Sequence, residues 1–140
     1  MLRLLADVNA EGYLATLVRV CQTPMWAEFW EHLNAQTLNF AEVGLHVRSK
    51  DPDVWRFCQN EGMLLFTCNR KNESDDSLEA TIRQNNTPDS LPVITLANQR
   101  LFRRNRTYRE RTAVRFLEIL LELDRYRGAG RVFIPGDVES

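Results

Sequence analysis

Short apolar segments alternate with amphipathic segments along the chain, and this alternation constrains the fold more than any other feature of the sequence. The apolar segments are residues 2–6, 37–43, 63–67, 92–96 and 131–134. Segments of this length and composition are typical of buried strands. The intervening segments are long enough for the crossover connections that parallel strands require. The alternation therefore predicts an α/β fold of three layers, α/β/α, with a mostly parallel sheet between two layers of helices.

Segments with the sequence pattern of amphipathic helices follow the predicted strands. The predicted helices cover residues 9–23, 25–33, 51–61, 77–84 and 98–127. Asn9 and Asp51 are expected to be the N-caps of the first and third of these helices, and Pro52 fits the first helical turn. The last helix is expected to run unbroken from Asn98 to Gly128, with an apolar stripe that faces the sheet.

Composition places the chain among globular domains. It has 140 residues, of which 44% are hydrophobic and 26% charged, and these values exclude disordered and collagen-like chains. Lys and Arg number 18 and Asp and Glu 19, so the net charge of -1 excludes a globally basic nucleic-acid binder. Any nucleic-acid contact must be local. We expect a single domain over residues 1–135 and a flexible tail over residues 136–140.

The cysteines and the first residues of the chain indicate the cellular compartment that we expect for the protein. The three cysteines, Cys21, Cys58 and Cys68, have no CxxC spacing, which argues against a disulfide framework and a zinc ribbon. This usage fits a reducing compartment, so a cytoplasmic location is expected. The apolar start, residues 1–6, is too short for a signal-peptide core or a membrane span, so no membrane association is expected.

Polar residues cluster where the predicted strands end, and parallel sheets bind ligands at that edge. These residues, with those on adjoining loops and helix starts, are Asp7, Asn9, Asp51, Thr67, Asn69, Asp75, Asp76, Glu79 and Asn98. Carboxylates without histidine or thiolate partners suit a hard cation such as Mg²⁺ or Mn²⁺. Such an ion activates water and stabilises charge on a phosphodiester. Alternatively, each acid is a solvated residue at a helix start.

Three strand-end and helix-start sequences resemble a known family. They are LLADVN (residues 4–9), a Gly44-Leu45 turn leading to DPDVW (51–55), and LLFTCN (64–69). Together they resemble the PIN-like domains related to VapC-type toxin ribonucleases, over residues 2–80. The resemblance implies a Rossmann-like sheet and a Mg²⁺- or Mn²⁺-dependent endoribonuclease. It also implies RNA as substrate and, for the toxin half of a toxin–antitoxin pair, an antitoxin protein as partner.

The resemblance also implies a set of site residues. Asp7 would be the leading metal ligand and Asn9 would orient it, while Asp51 and Thr67 match an acid and a threonine of the family. The implied catalytic residues are Asp7, Asn9, Asp51, Thr67 and Asn69. Asn69 stands where the family places aspartate, and an amide brings no charge to a cation site.

Two interpretations of Asn69 follow. In the first, an acid of the same loop replaces the missing aspartate, so that the metal ligands are Asp7, Asp51 and Asp75 or Asp76, with Glu79 in reach of the site. In the second, the chain is a catalytically inactive PIN-like domain that binds nucleic acid or protein.

An arginine-rich segment is the second feature that favours RNA. Seven arginines lie within the sixteen residues 100–115, and Glu110 is the only acid among them. Phe102 and Tyr108 are interleaved, as stacking on RNA bases requires. The predicted nucleic-acid contacts are Arg70, Lys71, Arg100, Arg103, Arg104 and Arg106. The alternative is a solvated helix face that pairs with surface acids.

Other functional classes lack the residues that they need. His32 and His46 have no partner spacing for zinc, and no histidine lies at a legible spacing from a cysteine nucleophile. Glycine motifs of P-loop, dinucleotide and α/β-hydrolase proteins are absent. A phosphoacceptor receiver would need an acid where Asn69 stands. The apolar stripe over residues 114–123 leaves a homodimer open as a further prediction.

Overall fold

The computed structural model of the protein describes residues 1–68 and 77–136. Within these ranges five strands form one sheet in which every neighbouring pair is parallel, in the order β2-β1-β3-β4-β5. The strands are β1 (Leu2–Ala6), β2 (Ala35–Leu38), β3 (Leu64–Cys68), β4 (Val93–Leu96) and β5 (Arg131–Ile134). The predicted parallel sheet is confirmed, and the bounds of β1 and β5 are those that the apolar segments indicated.

Helices cover both faces of this sheet. The α-helices of the described ranges are α1 (Glu11–Cys21), α2 (Ala27–Leu33), α3 (Asp51–Glu61), α4 (Ser77–Asn85), α5 (Gln99–Arg104) and α6 (Arg106–Leu121). Helices α1, α2, α5 and α6 pack over one face with Leu4 and Phe66, and α3 and α4 pack over the other with Leu5 and Leu65. The three-layer architecture is therefore confirmed. In residues 1–68 and 77–136, every helix is too short or too polar to serve as a transmembrane segment.

Both predicted N-caps are wrong. Asp7, not Asn9, occupies the first cap position: its Oδ1 accepts a hydrogen bond from the backbone N of Val8 at 3.0 Å. A short 3-10 turn over Val8–Ala10 then precedes α1. Lys50 has the extended backbone of a cap before α3, and Asp51 is the first helical residue. Asp7 therefore lies directly after β1, and Asp51 lies in the first turn of α3.

The second strand begins and ends earlier than the predicted segment 37–43. It covers Ala35–Leu38 and is followed by a 3-10 turn over Ala41–Val43. Asn39 and Glu42 cause the early end, because each side chain binds the other residue's backbone N–H. The Asn39 Oδ1 accepts from Glu42 N at 2.9 Å, and the Glu42 Oε1 accepts from Asn39 N at 2.8 Å. This reciprocal pair closes a turn where hydrophobicity alone suggested a strand.

The long basic helix expected from Asn98 to Gly128 is two helices. Asn105 interrupts it with an extended backbone, and its Oδ1 accepts a hydrogen bond from Tyr108 N at 2.9 Å. An asparagine side chain competes with the helical backbone in this way and favours caps over helix interiors. Helix α6 ends at Leu121, and a 3-10 turn over Leu123–Tyr126 follows. The arginines are consequently divided between two helices.

Helix α6 supplies the centre of the larger core. Phe116 is fully buried, with its ring 6.4 Å from that of Trp30 and 6.1 Å from that of Phe66. The buried residues of α6 are Thr112, Ala113, Phe116, Leu117, Ile119 and Leu120. Most of the apolar stripe is therefore used within the domain, and the homodimer stays a prediction.

The strand order reverses between β1 and β3. From β1 the chain crosses to β2 at one side, and it then returns to β3 at the other side and continues to β4 and β5. Connections therefore leave the two central strands toward opposite faces, which opens a crevice at their carboxyl ends. Asp7 follows β1 at this point, and Thr67 lies near the end of β3.

Replacing Phe116 with alanine tests this description of the core. The variant loses the ring that joins α6 to Trp30 and Phe66, so we expect the free energy of unfolding to fall by about 3–5 kcal/mol. Leu121→Ala on the same helix is the control, because Leu121 is 39% exposed and its truncation should cost about 1 kcal/mol or less. Urea denaturation followed by circular dichroism measures both. Equal losses would contradict the assignment of Phe116 to the core.

Candidate functional site: an acidic notch with a buried arginine

A small cavity, here called the acidic notch, lies at the carboxyl edge of β3 on the face covered by α3 and α4. Its volume is about 10 Å³, room for about one water molecule. Its polar lining side chains are Asp7, Asp51, Thr67 and Arg131, and its apolar walls include Val54, Leu65 and Leu78. The two acids expected to act together therefore line one cavity.

A backbone hydrogen bond positions Asp7 at the notch, and a side-chain hydrogen bond positions Asp51 there. The backbone N of Asp7 donates to the carbonyl of Phe66 at 2.9 Å, which extends the pairing of β1 with β3 by one residue. Asp51 Oδ2 accepts a hydrogen bond from Ser77 Oγ at 2.7 Å. Since Asp51 begins α3 and Ser77 begins α4, this bond holds two helix N-termini beside the notch. Their partial positive charges stabilise the carboxylates.

A buried polar network forms the other wall of the notch. Thr67 on β3 and Thr95 on β4 are paired in register, and their Oγ1 atoms lie 2.9 Å apart. Arg131 Nε donates to Thr95 Oγ1 at 2.9 Å, and Arg131 Nη1 forms an ion pair with Glu79 Oε1 at 3.2 Å. The Arg131 side chain is only 8% exposed. The network thus joins three strands to α4, and the sequence predictions did not include Thr95 or Arg131 in it.

The guanidinium of Arg131 changes the electrostatics of the notch. Arginine stays protonated at all physiological pH values, so the notch contains a permanent positive charge. A buried charge of this kind requires partners, because leaving it unpaired costs several kcal/mol or more. Glu79 is one such partner, and the carboxylates of Asp7 and Asp51 line the same cavity. The negative charge of the notch is therefore partly neutralised from within.

In the described part of the notch, two carboxylates and an arginine line one cavity. Mg²⁺ needs oxygen ligands in near-octahedral geometry, and a neighbouring guanidinium repels it. Among residues 1–68 and 77–136, no three His, Cys, Asp or Glu side chains form a group that could hold a metal ion. Asp75 and Asp76, predicted as further ligands, lie outside the described residues, as does Asn69.

The remaining predicted site residues lie elsewhere. Asn9 is exposed and lines a second cavity rather than the notch. Asn98 caps α5, because its Oδ1 accepts from Leu101 N at 3.0 Å. Arg70 and Lys71 lie outside the described residues. His32 and His46 are both exposed, and His46 Nδ1 accepts a hydrogen bond from the backbone N of Arg48.

The arginines of α5 and α6 form an exposed basic region, here called the arginine surface. Its exposed members are Arg100, Arg103, Arg104, Arg106 and Arg111. Arg106 pairs with Glu110 at 3.2 Å, whereas Arg100 and Arg104 have no acidic partner within the part of the chain that the structure describes. Phe102 is 1% exposed and Tyr108 is partly buried, so neither offers the open ring face expected for stacking.

The three cysteines belong to the core. Cys21, Cys58 and Cys68 are all buried, and none of them forms a disulfide within the described part of the chain. Burial raises the pKa of the Cys58 thiol to about 12, and the negative charge of Asp7 contributes to the same shift. Burial alone raises the pKa of Cys21 to about 12. Both thiols therefore stay protonated near neutral pH, which argues against nucleophilic catalysis by either one.

The likeness to PIN-like domains rests on the strand-end residues quoted above, and it stays a prediction. Comparison of the chain with models of protein families, with curated proteins and with solved structures gives no match.

Proposed function

We propose that this chain is a PIN-like RNA-binding domain whose acidic notch is partly neutralised by Arg131 and is catalytically inactive. One observation carries the proposal. The Arg131 guanidinium lines the cavity that Asp7 and Asp51 also line, where a nuclease of this type would need its cation. Asn69, which lies outside the described residues, supports it, since an amide replaces the acid that the resemblance implies.

The size of the Coulomb repulsion between a guanidinium and a divalent cation supports the proposal that the notch is inactive. A dication about 4 Å from a guanidinium is disfavoured by about 8 kcal/mol at an effective dielectric constant of about 20, and a carboxylate at that separation contributes the opposite amount. Arg131 therefore opposes part of the attraction that Asp7, Asp51 and its ion-pair partner Glu79 exert on a cation. Mg²⁺ gives up its water reluctantly, so this opposition weakens its binding.

RNA is the partner that the arginine surface fits best. Phosphate contacts need a local basic patch and not a basic chain. Arg100 and Arg104 are exposed without acidic partners among the described residues, so their charges are available to a ligand. Helix α5, which carries both, follows β4 directly. The surface therefore begins at the carboxyl edge of the sheet.

A cation titration of Arg131→Met tests the role assigned to the guanidinium. We expect no thermal stabilisation of the wild type by Mn²⁺, because the Arg131 guanidinium repels a cation in the notch. Removing the guanidinium leaves Asp7, Asp51 and Glu79 to repel one another, so the variant should melt lower without metal. Mn²⁺ should then stabilise it, by about 2.7 kcal/mol at a hundredfold excess over Kd. Differential scanning fluorimetry measures both proteins.

The matched control for this titration is the double variant Arg131→Met with Asp7→Asn. It should lose most of the Mn²⁺ response if the ion binds in the notch. Equal stabilisation of the wild type and Arg131→Met would contradict the proposal, since the arginine would then be no obstacle to the cation.

Salt-dependent RNA binding tests the arginine surface. Arg100→Gln combined with Arg104→Gln removes two positive charges, so binding of a labelled single-stranded oligoribonucleotide should weaken. The slope of log K against log salt should fall by about 1.4, which corresponds to two lost phosphate contacts. Fluorescence anisotropy in EDTA measures affinity without any contribution from metal.

Arg56→Gln combined with Arg83→Gln provides the control with the same charge change. Arg56 and Arg83 are exposed residues of α3 and α4, on the opposite face of the sheet. Their replacement should leave the salt slope unchanged. An unaltered slope in the Arg100 and Arg104 variant would argue against RNA binding by this surface.

A metal-dependent endoribonuclease is the second candidate. The observation that favours it is that Asp7 and Asp51 line one cavity beside Thr67, at the carboxyl edge of the sheet. Incubation of the wild type with single-stranded RNA and Mn²⁺ separates the two candidates. Cleavage that disappears in Asp7→Asn would establish the nuclease and reject the inactive domain.

A further inference from the structure

A second cavity, here called the α1–α5 pocket, lies between the start of α1 and helix α5, on the opposite face of the sheet from the acidic notch. Its volume is about 560 Å³, which is within the usual range for small-ligand sites. Asn9, Gly12, Tyr13, Phe102, Arg103 and Arg109 line it. The predictions from sequence assigned no pocket to these residues.

Two aromatic rings form one wall of the pocket. Phe102 is almost fully buried, and the Tyr13 ring meets it edge to face with 6.1 Å between centroids. Phe102 is fixed by the core, while Tyr13 is only partly buried and is accessible from the pocket. An aromatic wall of this kind suits a flat ring such as a nucleobase, which stacks with little dependence on sequence.

Two guanidinium groups, those of Arg103 and Arg109, give the pocket its positive charge. Arg103 lies 5.9 Å from the centroid of the Tyr13 ring and donates a hydrogen bond to the Tyr13 hydroxyl. Arg109 Nη1 donates to the carbonyls of Phe102 at 2.7 Å and Arg103 at 3.1 Å, so this side chain is held in place at the end of α5. No acidic side chain is among the described residues that line the pocket. Held guanidinium groups without a carboxylate partner suit a phosphate.

Gly12 keeps the pocket open. It lies in the first turn of α1, where glycine is a poor helix former. A Cβ at Gly12 would meet no atom within 4 Å, so packing does not require glycine there. Gly12 lines the pocket, so a larger side chain at this position would occupy space beside it.

The pocket and the notch are neighbours across the edge of the sheet. Asn9 lines the pocket and Asp7 lines the notch. These positions are two residues apart in sequence, and two residues of chain span at most about 7 Å. Arg103 belongs both to the pocket and to the arginine surface, so it connects the two.

We infer that the α1–α5 pocket binds one nucleotide of single-stranded RNA, with its base against Tyr13 and its phosphate on Arg103 and Arg109. The inference rests on the proposed RNA binding and adds a specific subsite to it. The notch and the pocket have different lining residues, so the inferred nucleotide binding does not depend on a cation in the notch.

Filling the pocket with Gly12→Leu tests the inference. The variant should fold, since leucine is a better helix former than glycine and nothing lies within 4 Å of the new Cβ. Its melting temperature, at or above that of the wild type, checks this. We expect affinity for a labelled single-stranded oligoadenylate in EDTA to fall by at least roughly tenfold, the loss of one stacked base.

Ala15→Leu is the matched control, because Ala15 is an exposed residue of the same helix that lines a different groove. It should bind the oligonucleotide as the wild type does. Arg103→Gln is a second test variant, and it should lower the salt slope of binding by about 0.7.

The outcomes separate this inference from the proposed function. If Gly12→Leu and Arg103→Gln bind like the wild type while the Arg100 and Arg104 variant does not, RNA binding stands and the subsite is overturned. If the wild type binds no oligonucleotide, the proposed function fails. Adenosine 5′-monophosphate is the third arm: its binding to the wild type without oligonucleotide binding would overturn the assignment to RNA in favour of a free nucleotide.

Discussion

Arg131 begins β5 and lays its side chain beside β4, where Nε donates to Thr95 and Nη1 pairs with Glu79 of α4. This buried guanidinium connects the sheet to the helix layer and sets the charge of the acidic notch. Because the notch is small and Arg131 lines it together with Asp7 and Asp51, the carboxylates have an internal counter-charge. Asp7 and Asp51 lie at the carboxyl edge of the sheet, where acids of metal sites are expected. A buried arginine that lines the same cavity and pairs with Glu79 is instead typical of an ion network that stabilises the fold.

The carboxyl edge of the sheet presents different chemistry on its two faces. The face under α3 and α4 has the notch, which is small, acidic and partly neutralised. The face under α1 and α5 has a larger pocket with an aromatic wall and two guanidinium groups. Asp7 and Asn9, two residues apart, belong to different faces. The second face offers both an aromatic ring and guanidinium groups to a ligand that has a flat ring and a phosphate, and this is the basis of the proposed RNA binding.

Local patterns in the sequence predicted the sheet well, and non-local contacts explain most of the errors. A buried parallel strand has a continuous apolar sequence, which is visible without any knowledge of its neighbours. The predicted bounds of β1 and β5 therefore agree with the structure. The strand-end rule, together with the family resemblance, indicated Asp7 and Asp51, which do share a cavity. Arg131 was missed because its partners depend on the position of β5 beside β4 and on α4, which no local pattern encodes. Asn105 was missed because a cap asparagine and a helical asparagine look alike in a polar segment.

The most direct test of this account is anomalous diffraction from crystals of the wild-type protein soaked in Mn²⁺. If Arg131 supplies the counter-charge of the notch, the map should show no anomalous peak beside Asp7 and Asp51. A peak within bonding distance of both carboxylates, with Arg131 displaced from Glu79, would contradict the account and establish a metal centre.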